Sequence, residues 1–195
     1  RFRAAFMHAV DREFLVKAIN FGLGKVAHSP IPSTAPYHDD KVLTKYPYDP
    51  GRARALLDEM GLKPKAGGMR HRFGIMLIPD GGGTWMRVGQ YVRQALSDVG
   101  LDAYLESPDW PTQLRRSGNW EFDCDSNSYG EYGDPAIGTS RFYLSSNIRK
   151  GVPLTNLQGY VNPEVDKLFA QAAVAVTQAE AQRCYSRLQQ ILTHD

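Results

Sequence analysis

No apolar run in this chain reaches the roughly 20 residues that a membrane-crossing helix needs. Charge of one sign is also missing. Lys and Arg number 23 against 21 Asp and Glu, a net charge of +2, so no field strong enough to argue for nucleic acid exists. The basic residues are scattered, with Arg115-Arg116 the one tight cluster and Arg70-His71-Arg72 a looser one. Only two cysteines occur, Cys124 and Cys184. They are expected as isolated buried thiols rather than as a disulfide, although an oxidising compartment would permit one. No GxSxG, HExxH, CxxC, P-loop lysine or GxGxxG is present, which removes the common nucleophilic, zinc and nucleotide signatures. No signal-peptide pattern opens the chain. It starts on Arg1-Phe2-Arg3 inside an apparent helix and stops after another helical pattern, so it is expected to be cut at both ends.

What remains is a chain of 195 residues, 42% hydrophobic, able to bury a core as one domain or one lobe of a larger protein. The spacing predicts helix over residues 2–21, with Asp11 starting a second set of turns. Residues 25–48 have no period and carry Pro30, Pro32, Pro36 and Pro47. They read as a long ordered loop, anchored by Tyr37, Tyr46 and Tyr48. Asp49-Pro50 starts a helix with Leu56, Leu57 and Met60 as its buried stripe, ended by Gly61. Residues 73–78 read as a buried strand. Trp85, Val88, Tyr91, Val92, Ala95, Leu96 and Val99 then mark an amphipathic helix, with Thr84 as its N-cap. Residues 101–105 alternate as a strand, completing a βαβ unit. A short helix over 109–116, a strand over 122–126 and a helical piece near 137–144 follow. Asn162-Pro163 opens a helix carrying Val165, Leu168, Phe169 and Ala172. Thr177 and Glu180 form a capping box for the last helix, with Cys184, Leu188 and Ile191 on one face. The fold class is α/β: a small mixed sheet with a βαβ unit, flanked by several helices. No linker is clear enough to divide the chain.

Several residue groups carry chemistry, each with a plainer structural reading. Gly81-Gly82-Gly83 ahead of a helix could cradle an anion, but a flexible turn is expected. His38-Asp39-Asp40 offers three metal-ligand types in a row. Neighbouring residues rarely face one ion, so a solvated loop is expected and no metal. Trp110 and Trp120 bracket the short helix and could stack on a ligand or pack in a core. Glu131 and Asp134 stand in a glycine-rich loop beside Tyr129 and Tyr132. The two carboxylates could form a hydrolytic pair. Asp134 precedes Pro135, however, which predicts a cap. Glu131 has no such structural explanation, which leaves it free to meet a ligand, with the tyrosines offering ring faces.

The order of these segments resembles one family. Residues 1–22 (RFRAAFMHAVDREFLVKAINFG) are similar to the "VRxAxxxAIDRxxIVxxxxxG" opening of the C-terminal lobe of family 5 bacterial solute-binding proteins, and residues 30–36 to its proline-rich segment. Tyr48-Asp49-Pro50 with ARALLDEMG matches "YDPxxAxxLLxExG". Asp109-Trp110 through Phe122-Asp123 matches "xxWxxxLxxxxFD", and Gly133-Asp134-Pro135 the "DP" that follows the binding loop. GYVNPEVDKL at 159–168 matches "GYxNPEVDxL", and residues 183–192 match "YxxxQxIL".

The resemblance implies a periplasmic-binding-protein-like class II lobe. Residues 1–195 would be a single C-terminal, ligand-binding lobe of a two-lobe protein whose N-terminal lobe is absent. It implies capture of a peptide or similar small solute and delivery to ABC-transporter permease subunits. The setting would be periplasmic, or extracellular and membrane-associated, with no catalysis, no cofactor and no nucleic acid. In the peptide binders an aspartate four residues before the "DP" proline holds the terminal ammonium. Counting back from Pro135 gives Glu131; one residue of slack gives Tyr132. The family's tryptophan just before it is missing, with Ser128 or Tyr129 in its place. Trp110 matches a family tryptophan, and Arg116 lies near an expected basic position. The implied ligand-binding set is therefore Glu131, Tyr129, Tyr132, Trp110 and Arg116. The rival readings are a periplasmic hydrolase using Glu131 and Asp134, and an interaction domain with no small ligand.

Overall fold

Polar side chains just ahead of apolar stripes start most of the helices in this structure, a computed structural model that describes residues 1–79, 83–130 and 132–195. Helix α1 (Phe2–Ala9) ends where Val10 turns extended, and Asp11 caps α2 (Arg12–Phe14) by accepting the Phe14 N–H at 3.0 Å. A π-helical turn over Leu15–Ile19 continues it. The expected helix over 2–21 is thus two segments, because the Asp11 carboxylate takes an N–H that a continuous helix would bond. Helix α3 (Pro50–Glu59) starts as Asp49-Pro50 predicts, with the Asp49 carboxylate accepting the Arg52 N–H at 2.9 Å. The Asp49 N–H donates to the His8 carbonyl at 2.8 Å, which ties the start of α3 to the end of α1.

The described residues form two compact units that interleave along the chain. The first comprises Arg1–Val26, Tyr46–Gln113 and Phe122–Asn127, the second Ala27–Lys45, Leu114–Glu121 and Ser128–Asp195. Each unit draws on three separate stretches, so no single linker could have announced the division.

In the first unit, β1 (His71–Met76) lies between β2 (Leu101–Glu106) and β3 (Cys124–Asp125). Phe73 pairs with Ala103 and Ile75 with both Leu105 and Cys124. Both pairings are parallel, where a mixed sheet is expected from the sequence. The reason is the connections: α4 (Thr84–Ser97) and α5 (Trp110–Gly118) each return the chain to the end where the preceding strand began. β1 sits two residues earlier than expected. β3 shrinks to two residues because the Asp123 carboxylate, not a backbone carbonyl, takes the Gly74 N–H at 2.8 Å. A Cβ at Gly74 would stand 2.9 Å from the Tyr104 ring, so a larger residue there has to displace that exposed side chain. Gly83 (φ +68) caps α4 instead of Thr84, whose hydroxyl accepts from the Arg87 guanidinium at 3.0 Å. Gly81 and Gly82, with the anion cradle considered for them, lie outside the described residues.

The core of this unit joins Ala5 and Ala9 of α1 and Ala53, Leu56 and Leu57 of α3 to Phe73, Ile75, Leu96, Val99 and Leu101. Small residues where α1 meets α3 let the two helices approach closely. Gly89, which the apolar pattern of α4 passes over, leaves room for Leu77; a Cβ there would lie 2.6 Å from its methyl. Arg70 is buried, and its guanidinium donates to the Val99 and Leu62 carbonyls and to the Asp58 carboxylate at 2.7 Å.

The second unit is built on α7 (Pro163–Ala173) and α8 (Gln178–His194), with α6 (Ser140–Tyr143) beside them. Asn162 caps α7, and Thr177 with Glu180 forms the expected capping box. The core gathers Ile31, Val165, Phe169, Ala172, Ala181, Tyr185, Leu188 and Ile191, with Cys184 half-buried at its margin. The proline-containing loop is held chiefly by a fully buried amide. Gln189 Nε2 donates to the Tyr37 and Tyr185 carbonyls at 2.9 and 3.0 Å, and its Oε1 accepts from Ser29 Oγ at 3.0 Å and the Asp39 N–H at 3.3 Å. Tyr37 does anchor the loop, its ring 4.9 Å from that of Tyr185. Tyr46 packs on His8 in the first unit, while Tyr48 is exposed and anchors nothing by its ring.

Two outcomes follow for stability. Gln189→Leu keeps the volume but strips four buried polar groups of a partner, and should lower the unfolding free energy by about 3 kcal/mol in urea titrations. A loss below about 1 kcal/mol would mean water replaces the amide. The Arg70 hydrogen bond holds the Asp58 carboxyl below its ordinary value of 3.8. That contribution is complete above the ordinary value and disappears as pH falls through the lower folded value. The stability gap between wild type and Asp58→Asn should therefore be open at pH 7 and narrow as pH falls into acid; a gap that does not change with pH contradicts the pairing.

Candidate functional site

Parallel pairing places the carboxyl ends of all three strands on one edge of the sheet. With the order β2-β1-β3, the chain goes to one side after β1 and to the other after β2. β1 and β3 therefore flank a topological switch point, where open α/β sheets bind their ligands. At that edge the Ser126 N–H continues the pairing to the Met76 carbonyl at 2.8 Å. The buried side chain of Gln113 donates from Nε2 to Asp125 Oδ1 at 2.9 Å and to the Ser126 carbonyl at 3.0 Å, fixing the last residues of β3 to α5. Trp110 opens α5 just after β2 and is 42% exposed. Asp109 ahead of it caps the helix, accepting the Thr112 N–H at 2.8 Å, and Thr112 holds its carboxyl below the usual range. Cys124 of β3 is a half-buried free thiol, its pKa pushed up by burial.

The glycine-rich loop that follows β3 belongs to the second unit from Ser128 onward. Tyr129 is 53% exposed and lays its ring on Phe142 of α6, centroids 3.8 Å apart at 33°. Tyr132 is 68% exposed, and its ring lies within about 3.8 Å of where a Cβ on Gly130 would stand. Both rings are largely exposed, with one face of Tyr129 covered by Phe142. Glu131, between them, lies outside the described residues. The loop closes at Gly133 (φ +87) and Asp134. Asp134 is not the helix cap that its proline neighbour predicts, since a turn follows it and Thr139 stands at the N-cap of the next helix; its carboxylate instead caps that turn, accepting the Ala136 N–H at 2.8 Å, and takes the Tyr185 hydroxyl at 2.9 Å. Burial, and then that carboxylate, push the Tyr185 phenol well up.

The remaining candidates have structural partners. Arg116 is half-buried and donates from Nε to the Glu121 carbonyl at 3.2 Å. Trp120 takes a left-handed backbone (φ +63), with the Lys150 ammonium 5.8 Å from its ring centre. His38, Asp39 and Asp40 go separate ways. His38 Nδ1 meets the Ile31 carbonyl, Asp39 accepts from Ser186 Oγ at 2.7 Å, and Asp40 pairs with Lys45 at 2.7 Å. The expectation of a solvated loop is corrected by Asp39, which ties that loop to α8. Among the described residues no three His, Cys, Asp or Glu side chains gather to hold a metal. A surface depression of about 430 Å³ beside α8 is lined by polar groups already paired with one another, Arg187 with Glu164 at 2.8 Å among them.

Phe142, Tyr185 and Gln113 were not singled out from sequence. Tyr185 had a signal: it is the tyrosine of the YxxxQxIL pattern, a polar-tipped ring on the buried face of a helix, which must find an acceptor. Phe142 and Gln113 had none, since their roles come from folding neighbours.

The family model for the middle part of the family 5 bacterial extracellular solute-binding proteins matches residues 1–150. Heme-binding protein A of Haemophilus influenzae is 27% identical over 97% of this chain and 34% of its own length. A probable D,D-dipeptide-binding periplasmic protein of Escherichia coli is 26% identical over 99% of this chain and 36% of its own. The chain thus spans about a third of the curated relatives that it matches. A periplasmic oligopeptide-binding protein of Thermotoga maritima, solved with mannohexaose bound, superposes over 100% of this chain and 39% of its own at a TM-score of 0.87 and 24% identity. That superposition establishes the periplasmic-binding-protein-like fold. On the match over residues 1–150, the chain belongs to the family 5 bacterial extracellular solute-binding proteins.

Proposed function

We propose that this chain is the ligand-binding lobe of a solute-binding protein that captures a peptide or similar small solute and passes it to the permease of an ABC importer. The observation that supports the reading is the pair of largely exposed tyrosine rings, Tyr129 and Tyr132, in the loop that follows β3 in the chain. In the first unit, Trp110 at the start of α5 offers a half-exposed ring just after β2. Glu131 contributes the charge. No lysine or arginine lies between Glu121 and Arg141, so this stretch favours a cationic or neutral group over an anion. The ligands named for relatives, heme and D,D-dipeptide, and the mannohexaose in the solved structure, differ in chemistry and support a small solute as the class.

Binding without catalysis is favoured by Asp134. A hydrolytic pair needs two available carboxylates, and Asp134 is committed to the Ala136 N–H and the Tyr185 hydroxyl. The remainder of the protein would supply the opposite lobe, closing on the solute as two-lobed binders do. The periplasm, or the outer face of the membrane, is the corresponding setting. Arg116 is the weakest member of the proposed set, given its bond to Glu121.

Native mass spectrometry of the full-length protein, purified from its host's envelope, should reveal a small molecule released on denaturation. Two unit charges about 4 Å apart are worth about 4 kcal/mol at an effective dielectric of 20, before desolvation is subtracted. Calorimetry on the full-length protein should accordingly show Glu131→Ala weakening a cationic solute tenfold or more, while affinity for a neutral sugar barely changes. Equal affinity of wild type and variant for the cationic solute would remove Glu131 from the site.

A further inference from the structure

The hydroxyl of Tyr185 has no packing role that phenylalanine would not fill. Tyr185 is 1% exposed on α8, its ring against Tyr37 and its carbonyl receiving the Gln189 amide at 3.0 Å. The Gln189 amide also donates to the Tyr37 carbonyl, so the phenol is held from its own helix, from the neighbouring ring and from the loop beneath. Its one polar atom reaches Asp134 Oδ1 at 2.9 Å, and the same oxygen accepts the Ala136 N–H. A phenol bonded to a carboxylate is charge-assisted and directional. Asp134 also turns the chain: its carbonyl accepts the Ile137 and Gly138 N–H groups at 2.9 and 3.1 Å. A rigid core helix is therefore bonded to the residue that ends the Tyr129–Tyr132 loop, two positions after Tyr132. At the other end of that loop, the Tyr129 ring rests on Phe142, only two residues beyond Ser140, whose hydroxyl and N–H are bonded to the Ala136 and Pro135 carbonyls. Both ends of the loop are thus referred to the short stretch that Asp134 nucleates.

We propose that Tyr185 is a positioning residue for solute binding: through Asp134 it sets the Tyr129–Tyr132 loop in its binding geometry without touching the solute. This rests on the proposed function, since it assigns that loop to the ligand. A carboxamide keeps an oxygen that can accept both bonds but loses the charge, so Asp134→Asn should fall between wild type and Asp134→Ala.

The test uses the full-length protein and two readouts, hydrogen–deuterium exchange of the loop without solute and affinity for a random tripeptide mixture. Tyr185→Phe should speed exchange across residues 127–138 and weaken the tripeptides about tenfold. Asp134→Ala should do the same, and the double variant should be no worse than either single one. Asp134→Asn should be intermediate in both readouts. Leu188→Val, a buried substitution on the same helix, controls for lost stability and should change neither readout. Unchanged loop exchange in Tyr185→Phe overturns the proposal, as does faster exchange with unchanged affinity, or an equal effect from Leu188→Val. If wild type binds no tripeptide, the peptide-binding reading fails, and the role of Tyr185 toward peptides falls with it; loop exchange still reports separately whether the hydroxyl holds the loop.

Discussion

Parallel pairing on both sides of β1 is the constraint from which the rest of the first unit follows. A parallel neighbour can be reached only by carrying the chain back along the sheet, and helices do that with every backbone group satisfied. Here α4 serves the first return and α5 the second. Helices packed on the strands make the middle of β1 buried from Phe73 onward, and this is why its sequence is a continuous apolar run rather than an alternation. The same constraint collects three carboxyl ends at one edge. Trp110 follows one of them and the aromatic loop another.

Buried polar groups perform the joining that hydrophobic contact cannot direct. Gln189 bonds four groups on the proline-containing loop and its own helix. Asn156, also fully buried, donates to the Leu144 and Tyr160 carbonyls and accepts the Tyr160 N–H. Arg70 joins the end of α3 to the turn that precedes β2. Each occurs where a stretch without regular structure crosses a core, and each supplies the partners that stretch would otherwise find only in water. The long loop needs no hinge role to account for its prolines: it is a strap whose backbone polar groups are met by α8.

Helix starts were the most legible features of the sequence. Asp49-Pro50, Asn162-Pro163 and the Thr177–Glu180 box each involve two or three neighbouring residues, and all three cap as written. Asp134 before Pro135 carried the same local signal but starts a turn and not a helix, because the chain bends at Ala136–Gly138 onto the Asp134 carbonyl. The stripe of α4 was legible apart from Gly89, whose value lies in the Leu77 side chain that fits against it. Strand edges were less so. The residues at 73–78 predicted the apolar run but not its register, and nothing near Asp123 said that its carboxylate would take the Gly74 N–H in place of a backbone pairing. Of the proposed ligand residues, Tyr129 and Tyr132 were visible as aromatic residues among glycines. Phe142, on which the Tyr129 ring lies, was not.

The sequence by itself determined the local grammar: where helices start, which faces are apolar, which loop carries open aromatic residues, and through an ordered set of short motifs, the family. These depend on neighbours within a turn or two of helix, so local physics suffices. Only the tertiary structure decided that the chain divides into two interleaved units, that the sheet is wholly parallel among its described strands, and that Arg116 is bonded to Glu121. It alone also joined Tyr185 to Asp134, 51 positions apart. A hydrogen bond between residues so distant in the chain has no local signature, because its geometry exists only after α8 has packed.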